Sequence, residues 1–202
     1  MLPETLLKYS IVVLLLPILS FVILIFFGKR LKKASGVIGT SILTLSLLIS
    51  IVIAFTKLSV FSGAKIIQAN VEWINFGNVP GIGPFSIIVG IGIDNLSAIM
   101  LIVVTLISTL VHLFSTVYMA DDVRYSRYFA YLGFFTFSML GIVLTNNFFL
   151  MYVFWELVGI SSYLLIGFWY EKRSASNAAK KAFLVNRVGD LGFWLGILIL
   201  FV

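Results

Sequence analysis

The stretch "MYVFWELVGISSYLLIGFWY", residues 151–170, is apolar and long enough to cross a bilayer, yet it contains Glu156. A membrane-spanning helix needs about 20 predominantly apolar residues. A carboxylate at the bilayer centre costs about 2.5–3.5 kcal/mol on insertion scales. The stretch therefore predicts a membrane helix whose single acid has a specific partner or task.

The rest of the chain has the composition of an integral membrane protein. Of its 202 residues, 61% are hydrophobic and 11% are charged, whereas soluble domains average about 45–50% and about 25%. The chain has no cysteine and one histidine, His112. It therefore holds no cysteine-ligated iron–sulfur cluster, no disulfide and no bis-histidine haem. Because it also lacks a nucleotide-binding fingerprint, we expect no cofactor and no metal in this chain.

Charged residues and turn residues delimit six predicted helices. From residue 128 to residue 170 the only charge is Glu156, and one helix of that length would be about 65 Å long. The asparagines at 146 and 147 favour a turn that divides this run in two. The sequence thus predicts an all-α integral membrane protein, with helices at 7–27, 36–56, 93–120, 127–145, 147–170 and 181–202.

One further uncharged stretch, residues 73–93, is predicted to form a β-hairpin. It contains five glycines, two prolines and a partial alternation of apolar residues, which suits a hairpin or structured loop on the membrane surface. The predicted organisation is two helices in 1–56, an outside (periplasmic) hairpin loop in 57–92, and helices three to six in 93–202.

The basic residues predict the orientation of the helices. Ten of the fourteen lie on one side, in the connections at 29–33, 121–127 and 171–181, whereas Lys8, Lys57 and Lys65 lie on the other. The positive-inside rule places the ten inside, with the N-terminus and the hairpin outside. The net charge of +6 is thereby explained by topology and by the lipid bilayer, and no nucleic-acid partner is expected.

Two more charges, Arg187 and Asp190, lie within the sixth predicted span, three residues apart on one helical face where they can pair. Glu156 lies about 14 Å from the outer end of its helix, and Arg187 about 7 Å from the inner end of its own. At these depths Glu156 is expected to be too far for a direct bond to Arg187. Either it is protonated and mainly neutral at pH 7, or its cationic partner comes from a helix outside this sequence.

Two interpretations of these charges remain open from the residues alone. A buried carboxylate whose pKa can be tuned is suited to a proton relay, but the same three charges also suit a structural scaffold that docks helices. His112 lies near the predicted inner end of helix three and is expected to be an interfacial residue more often than a relay member. Lys181 is expected to anchor its helix on the inside. Both are secondary candidates for proton translocation.

Three motifs carry a resemblance to a known family. They are "IDNLS" (93–97), "WELVGISSYLLIGFWY" (155–170) and "NAAKKAFLVNRVGDLGF" (177–193). The chain resembles, over nearly its whole length, the largest antiporter-like subunit of respiratory complex I, called subunit L in bacteria and subunit 5 in mitochondria. It is also similar to the large subunit of multisubunit cation/proton antiporters.

The resemblance implies a proton-translocating membrane subunit of a redox-driven NADH:quinone oxidoreductase, a translocase, with no independent catalysis by this chain. It implies a six-helix N-terminal part of an antiporter-like bundle in which Glu156 is the central carboxylate, paired with a lysine on a seventh helix. Arg187 and Asp190 match the charges of the family's sixth helix.

The resemblance also implies where the other components lie. FMN, iron–sulfur clusters and quinone would be bound by other subunits, and an adjacent antiporter-like subunit would be a partner. The implied location is the bacterial inner membrane, with an organellar inner membrane as the alternative. A cation/proton antiporter and a structural scaffold remain the alternative functions.

Overall fold

A computed structural model describes residues 3–61, 63, 66–79 and 83–201. The described residues form six helices and one two-stranded sheet: α1 (Pro3–Leu31), α2 (Ala34–Ser59), β1 (Ile67–Val79), β2 (Gly83–Ile93), α3 (Asn95–Tyr118), α4 (Tyr125–Leu144), α5 (Phe148–Ile166) and α6 (Arg173–Phe201). All six helices are long and apolar enough to cross a membrane. The predicted all-α membrane fold with a hairpin between helices two and three is confirmed.

Helices α1 to α4 form a bundle in which α1 and α3 each pack against α2 and α4. Small residues let these helices approach closely, as where the Ser126 hydroxyl donates to the Gly28 carbonyl at 2.8 Å. Such small-residue contacts are typical of helix packing in lipid. Apolar clusters fill both ends of the bundle, one around Leu6, Ile53, Ile93 and Leu144 and the other around Leu24, Met119, Phe129 and Phe168.

The last two helices lie beside this bundle, with α5 packed between α4 and α6. In the most apolar part of α4, half of the residues are buried within the chain. In the corresponding parts of α5 and α6, only 11% of the residues are buried. The α5–α6 pair therefore leaves most of its surface for lipid or for other protein.

The strands β1 and β2 pair in antiparallel fashion from Ile67–Ile93 to Val79–Gly83, with two register shifts along the way. The hairpin is fastened to the turn before α5, because the Asn147 side-chain amide donates to the Ile88 carbonyl at 2.8 Å. The Asn147 side-chain oxygen also caps α5 by accepting from the Leu150 amide at 2.7 Å. The predicted break at 145–147 is thus both a helix cap and the anchor of the hairpin.

The predicted boundaries of the last two helices are wrong in an informative way. Helix α6 begins at Arg173, eight residues before the predicted start at 181, and α5 ends at Ile166 instead of 170. A 29-residue helix is about 44 Å long, which exceeds a hydrocarbon core of about 30 Å, so the helix has length to spare for its polar first turns. The lysines at 180 and 181 therefore lie within α6 and do not mark its beginning. Lys65 and Val202 lie outside the described residues.

Candidate functional site

Three ionisable residues on the facing sides of α5 and α6 form one connected cluster, here called the charge triad. Glu156 Oε2 makes an ion pair with Arg187 Nη1, and Arg187 Nη2 lies 2.8 Å from Asp190 Oδ2. The second contact is close without the alignment of a hydrogen bond. The prediction that Arg187 and Asp190 pair with each other is confirmed, and both side chains contact α5.

The expectation that Glu156 has no direct bond to Arg187 is wrong, and the early start of α6 explains why. Arg187 lies fourteen residues after Arg173, about 21 Å along the helix axis, and not about 7 Å as expected. Glu156 lies eight residues after Phe148 and ten before Ile166. Both side chains are therefore near the middle of their helices and meet. Because Glu156 has its cation within this chain, the reason for expecting a neutral carboxyl group is removed.

The indole of Trp155 orients the second acid of the triad. Trp155 Nε1 donates a hydrogen bond to Asp190 Oδ1 at 2.7 Å, and Asp190 is only 4% exposed. The Asp190 carboxylate is thus held by Trp155 on one oxygen and by Arg187 on the other. Sequence reasoning missed this role, since a tryptophan in an apolar span is usually assigned to lipid. The available signal was its N–H donor, which needs an acceptor when it points into a helix interface.

The Arg187 guanidinium lies between a glycine on α5 and an aromatic ring on its own helix. A Cβ atom on Gly159, one turn after Glu156, would lie 3.1 Å from Arg187 Nη2. On the other side, Arg187 Cζ lies 4.9 Å from the centroid of the Phe183 ring, within the range of a cation–π contact. The absent side chain at Gly159 therefore gives the guanidinium room to reach both carboxylates.

A cleft of about 660 Å³ borders the triad, and its lining includes Ile142 of α4 together with Trp155, Gly159, Arg187 and Asp190. Two carboxylates and one guanidinium leave a formal charge of −1 when both acids are ionised. One proton would neutralise the cluster. The triad is therefore suited to binding and releasing a proton next to a space open to water or to another protein group.

The two secondary candidates lie apart from the triad. His112 is fully buried between the helices of the α1–α4 bundle and does not reach the surface of the chain. Its Nδ1 lies 2.9 Å from the Ser108 carbonyl, and its Nε2 has no hydrogen-bond partner among the described residues. Lys181 is exposed on α6. Within the part of the chain that the structure describes, neither residue has a hydrogen bond or ion pair to the triad.

Two family models match this sequence in order. Residues 79–129 match the N-terminus of chain 5 of NADH–ubiquinone oxidoreductase (complex I), and residues 145–202 match the transmembrane region of NADH:quinone oxidoreductases and Mrp antiporters. The chain belongs to the complex I subunit 5/L family. The triad lies within the second of these matches.

Individual relatives agree with this assignment. The chain is 42% identical, over 93% of its length, to NAD(P)H-quinone oxidoreductase subunit 5 from the organellar chromatophore of Paulinella chromatophora. It is 44% identical, over 94% of its length, to NADH-quinone oxidoreductase subunit L of Rickettsia typhi. The chain spans 28% of the length of each of these relatives.

A solved structure shares the fold. The membrane-bound sulfane sulfur reductase, an archaeal respiratory membrane complex, contains a chain that matches 93% of this protein with a TM-score of 0.67 at 24% identity. This protein covers 36% of that chain. The arrangement of the six helices therefore occurs in a membrane complex of known structure.

Proposed function

We propose that this chain contributes its six helices to a proton-translocating membrane subunit of a redox-driven NADH:quinone oxidoreductase, a translocase. The observation that carries the proposal is the charge triad, in which Glu156, Arg187 and Asp190 are linked across α5 and α6 near the middle of both helices. Ionisable residues at membrane depth are rare and costly, and they mark proton pathways by default.

In this proposal Arg187 contacts both Glu156 and Asp190, and the protonation of Glu156 changes the strength of the first contact. When Glu156 is ionised, the guanidinium contacts both carboxylates. When Glu156 takes up a proton, its attraction for Arg187 falls, and the guanidinium is left to Asp190, which Trp155 holds in place. The resemblance adds a lysine on a further helix as a competing cation for Glu156, and the cleft beside Arg187 offers space for such a group.

The relatives' names describe subunits of quinone oxidoreductases, which supports a role for this chain as one subunit among several. We assign FMN, iron–sulfur clusters and quinone to other subunits and expect no independent catalysis by this chain. An adjacent antiporter-like subunit is the proposed partner, and the bacterial inner membrane is the proposed location. His112 and Lys181 stay secondary candidates that no contact with the triad supports.

We further propose that the N-terminus and the hairpin within 57–92 face the outside, and that the connection before α6 faces the inside. Cysteines introduced at the exposed positions Asn75 and Ser174 test this with a membrane-impermeant thiol reagent. In intact cells the reagent is expected to label Asn75→Cys, which faces the outside in this proposal, and not Ser174→Cys. The chain has no cysteine of its own, so no other position competes for the reagent. The reverse pattern would overturn the orientation.

Substitution of Glu156 by glutamine tests the function in the complete, assembled protein. The amide keeps the shape of the side chain but cannot carry the proton, so proton translocation should fall at least tenfold while assembly is preserved. The matched control is Glu72→Gln, which neutralises an exposed acid in the hairpin. Translocation is followed by the quenching of a pH-sensitive dye during quinone reduction.

Two other outcomes would point to the alternative functions. If Glu156→Gln leaves translocation intact, or only impairs assembly, the triad is a scaffold. Sodium-linked pH changes in a preparation without quinone reductase subunits would favour a cation/proton antiporter, a class that the second family match also includes.

A further inference from the structure

A second pocket, remote from the charge triad, lies where the ends of three helices meet on the basic side of the chain. It has a volume of about 230 Å³. Its lining includes Arg124, which precedes α4, Gly167, which follows α5, and Ser176 in the first turn of α6. No residue of the charge triad is among the described residues that line it.

The pocket is electropositive, because Arg124 and Arg127 are the only charged residues in its described lining. Arg124 Nη2 donates to Glu171 Oε2 at 3.1 Å, but Arg124 Nη1 is buried with no hydrogen-bond partner in the described structure. The rings of Phe168 and Tyr170 lie 5.4 and 4.6 Å from Arg124 Cζ and hold the guanidinium in place.

The acceptor that Arg124 Nη1 lacks among the described residues is expected to belong to a group larger than a water molecule. A buried donor without an acceptor costs about 1–3 kcal/mol, and more when the group is charged. One water would need only about 10–15 Å³ of the available volume. The pocket exceeds that requirement many times over, so it has room for a polyatomic anion.

The nearby carboxylates of Asp122 and Glu171 do not accept a hydrogen bond from Arg124 Nη1. Asp122 is already committed, since its carboxylate accepts from the Trp169 indole at 2.8 Å and from the Arg124 amide at 2.7 Å. The Glu171 side chain is 66% exposed, and its contact with the guanidinium is made to Nη2. Lys172 and Arg173 follow directly in the chain and add positive charge outside the pocket.

We propose that this pocket binds the phosphate group of an anionic phospholipid. A guanidinium offers paired N–H donors that match phosphate oxygens, and basic pockets between membrane helices are suited to anionic head groups. A lipid is favoured over a free anion by position, because the pocket lies at the ends of membrane helices. The tyrosines in its lining, Tyr131 and Tyr163, are typical of the membrane interface.

Native mass spectrometry of the protein, purified from its own membrane with the subunits that co-purify, tests the proposal. The protein is delipidated and then offered phosphatidylglycerol, phosphatidylcholine or inorganic phosphate. Arg124→Gln/Arg127→Gln removes both pocket cations. Lys32→Gln/Lys33→Gln is the matched control, because it removes the same charge from the same side of the chain, outside the pocket.

The wild type and the control are expected to retain at least one phosphatidylglycerol that the pocket variant loses, with affinity reduced at least tenfold. Because Arg124→Gln also breaks the pair with Glu171, Ser176→Asp serves as a second variant. It keeps both arginines, places an acid where a helix N-terminus tolerates it, and should also expel the lipid.

Three results would overturn the proposal. The first is equal retention of phosphatidylglycerol by the wild type and both pocket variants. The second is equal binding of phosphatidylcholine, which would show that net charge is not selected. The third is binding of inorganic phosphate as tight as that of the lipid, which would assign the pocket to a free anion.

Discussion

Many polar side chains of the α1–α4 bundle bond to their own helix, and a few hydroxyls such as that of Ser126 bond to a neighbouring helix, whereas the α5–α6 pair joins charged side chains across the helix interface. In the bundle, the hydroxyls of Ser10, Ser50 and Thr105 each donate to the carbonyl four residues earlier. His112 likewise contacts the carbonyl four residues before it. In the pair, Trp155 and Glu156 of α5 reach Asp190 and Arg187 of α6.

This difference separates a structural arrangement from one that can respond to a proton. A hydroxyl bonded to its own helix needs no neighbour, so it constrains the neighbouring helices little. A charge cluster that joins two helices ties their relative position to the charge that the cluster carries. The α5–α6 pair, which buries little of its own surface, is therefore the part of the chain whose packing can follow protonation.

The largest expected effect is the loss of the shared cation. Arg187→Met leaves the carboxylates of Glu156 and Asp190 facing each other without a guanidinium. Removing one partner of a buried ion pair typically destabilises by about 3–5 kcal/mol. The free energy of unfolding of the full protein, measured by denaturant titration of its tryptophan fluorescence, should fall by about that amount.

The neutral triple variant Glu156→Gln/Arg187→Met/Asp190→Asn is the control for this loss. It leaves no unpaired charge, so it should recover most of the lost stability while abolishing proton transfer. If the triple variant is as unstable as Arg187→Met, then the packing of the arginine side chain, and not its charge, connects the two helices.

The next effect concerns the indole that holds Asp190. Trp155→Phe removes the hydrogen bond from Nε1 to the carboxylate, and a hydrogen bond to a charged group contributes about 1.5–3 kcal/mol. Stability should fall within that range, and proton translocation by the assembled protein should slow because the Asp190 carboxylate loses one of the two groups that hold it.

Trp169→Phe is the matched control, since it removes an indole donor to Asp122 in the connection between α3 and α4. It should lower stability to a similar extent and leave the rate of proton translocation unchanged. An equal slowing of translocation in both variants would show that Trp155 has no special relation to the triad.

A smaller effect is expected at Gly159. A Cβ there would lie 3.1 Å from Arg187 Nη2, so Gly159→Ala should displace the guanidinium by a few tenths of an ångström. Gly189→Ala on α6 meets no atom within 4 Å and should gain the usual helix preference of about 0.5–1 kcal/mol. The two variants should therefore differ in stability by about 1–2 kcal/mol. Equal stabilities would show that the guanidinium moves aside freely.

Features of the fold that follow from local sequence were predictable, whereas the start of α6 and the contacts that depend on it were not. Runs of apolar residues gave the six helices, and the glycines and prolines of 73–93 gave the hairpin, because both follow from local chemistry. The start of α6 was missed because the charges of Lys180 and Lys181 indicate the end of an apolar span, whereas the helix itself continues past them to Arg173. That error alone misplaced Arg187 by about two to three turns and concealed its pair with Glu156.

The smallest expected effect tests the junction between the hairpin and the bundle, at the start of α3. Asp94 caps this helix, since its Oδ1 accepts from the Ser97 amide at 2.7 Å while the Ser97 hydroxyl accepts from the Asp94 amide at 2.8 Å. The hydrogen bond from the Ser97 amide holds the pKa of Asp94 below its ordinary value of 3.8. The ionised Asp94 carboxylate therefore contributes fully to stability at pH values above its ordinary pKa of 3.8. This contribution is lost as the pH falls through the lowered pKa of the folded state.

Two substitutions at this position separate the cap from the charge. Asp94→Ala should lower the free energy of unfolding at neutral pH by about 0.5–2 kcal/mol, the usual cost of losing an N-cap. Asp94→Asn keeps an oxygen acceptor for the Ser97 amide, so it should retain most of the stability but lose the part that depends on pH. Denaturant titrations at about pH 7 and about pH 3 would show this as a smaller difference between the two conditions than in the wild type. If Asp94→Asn kept the full wild-type difference, the acid-sensitive group would lie elsewhere, and the cap would be purely structural, like the local hydrogen bonds of the bundle.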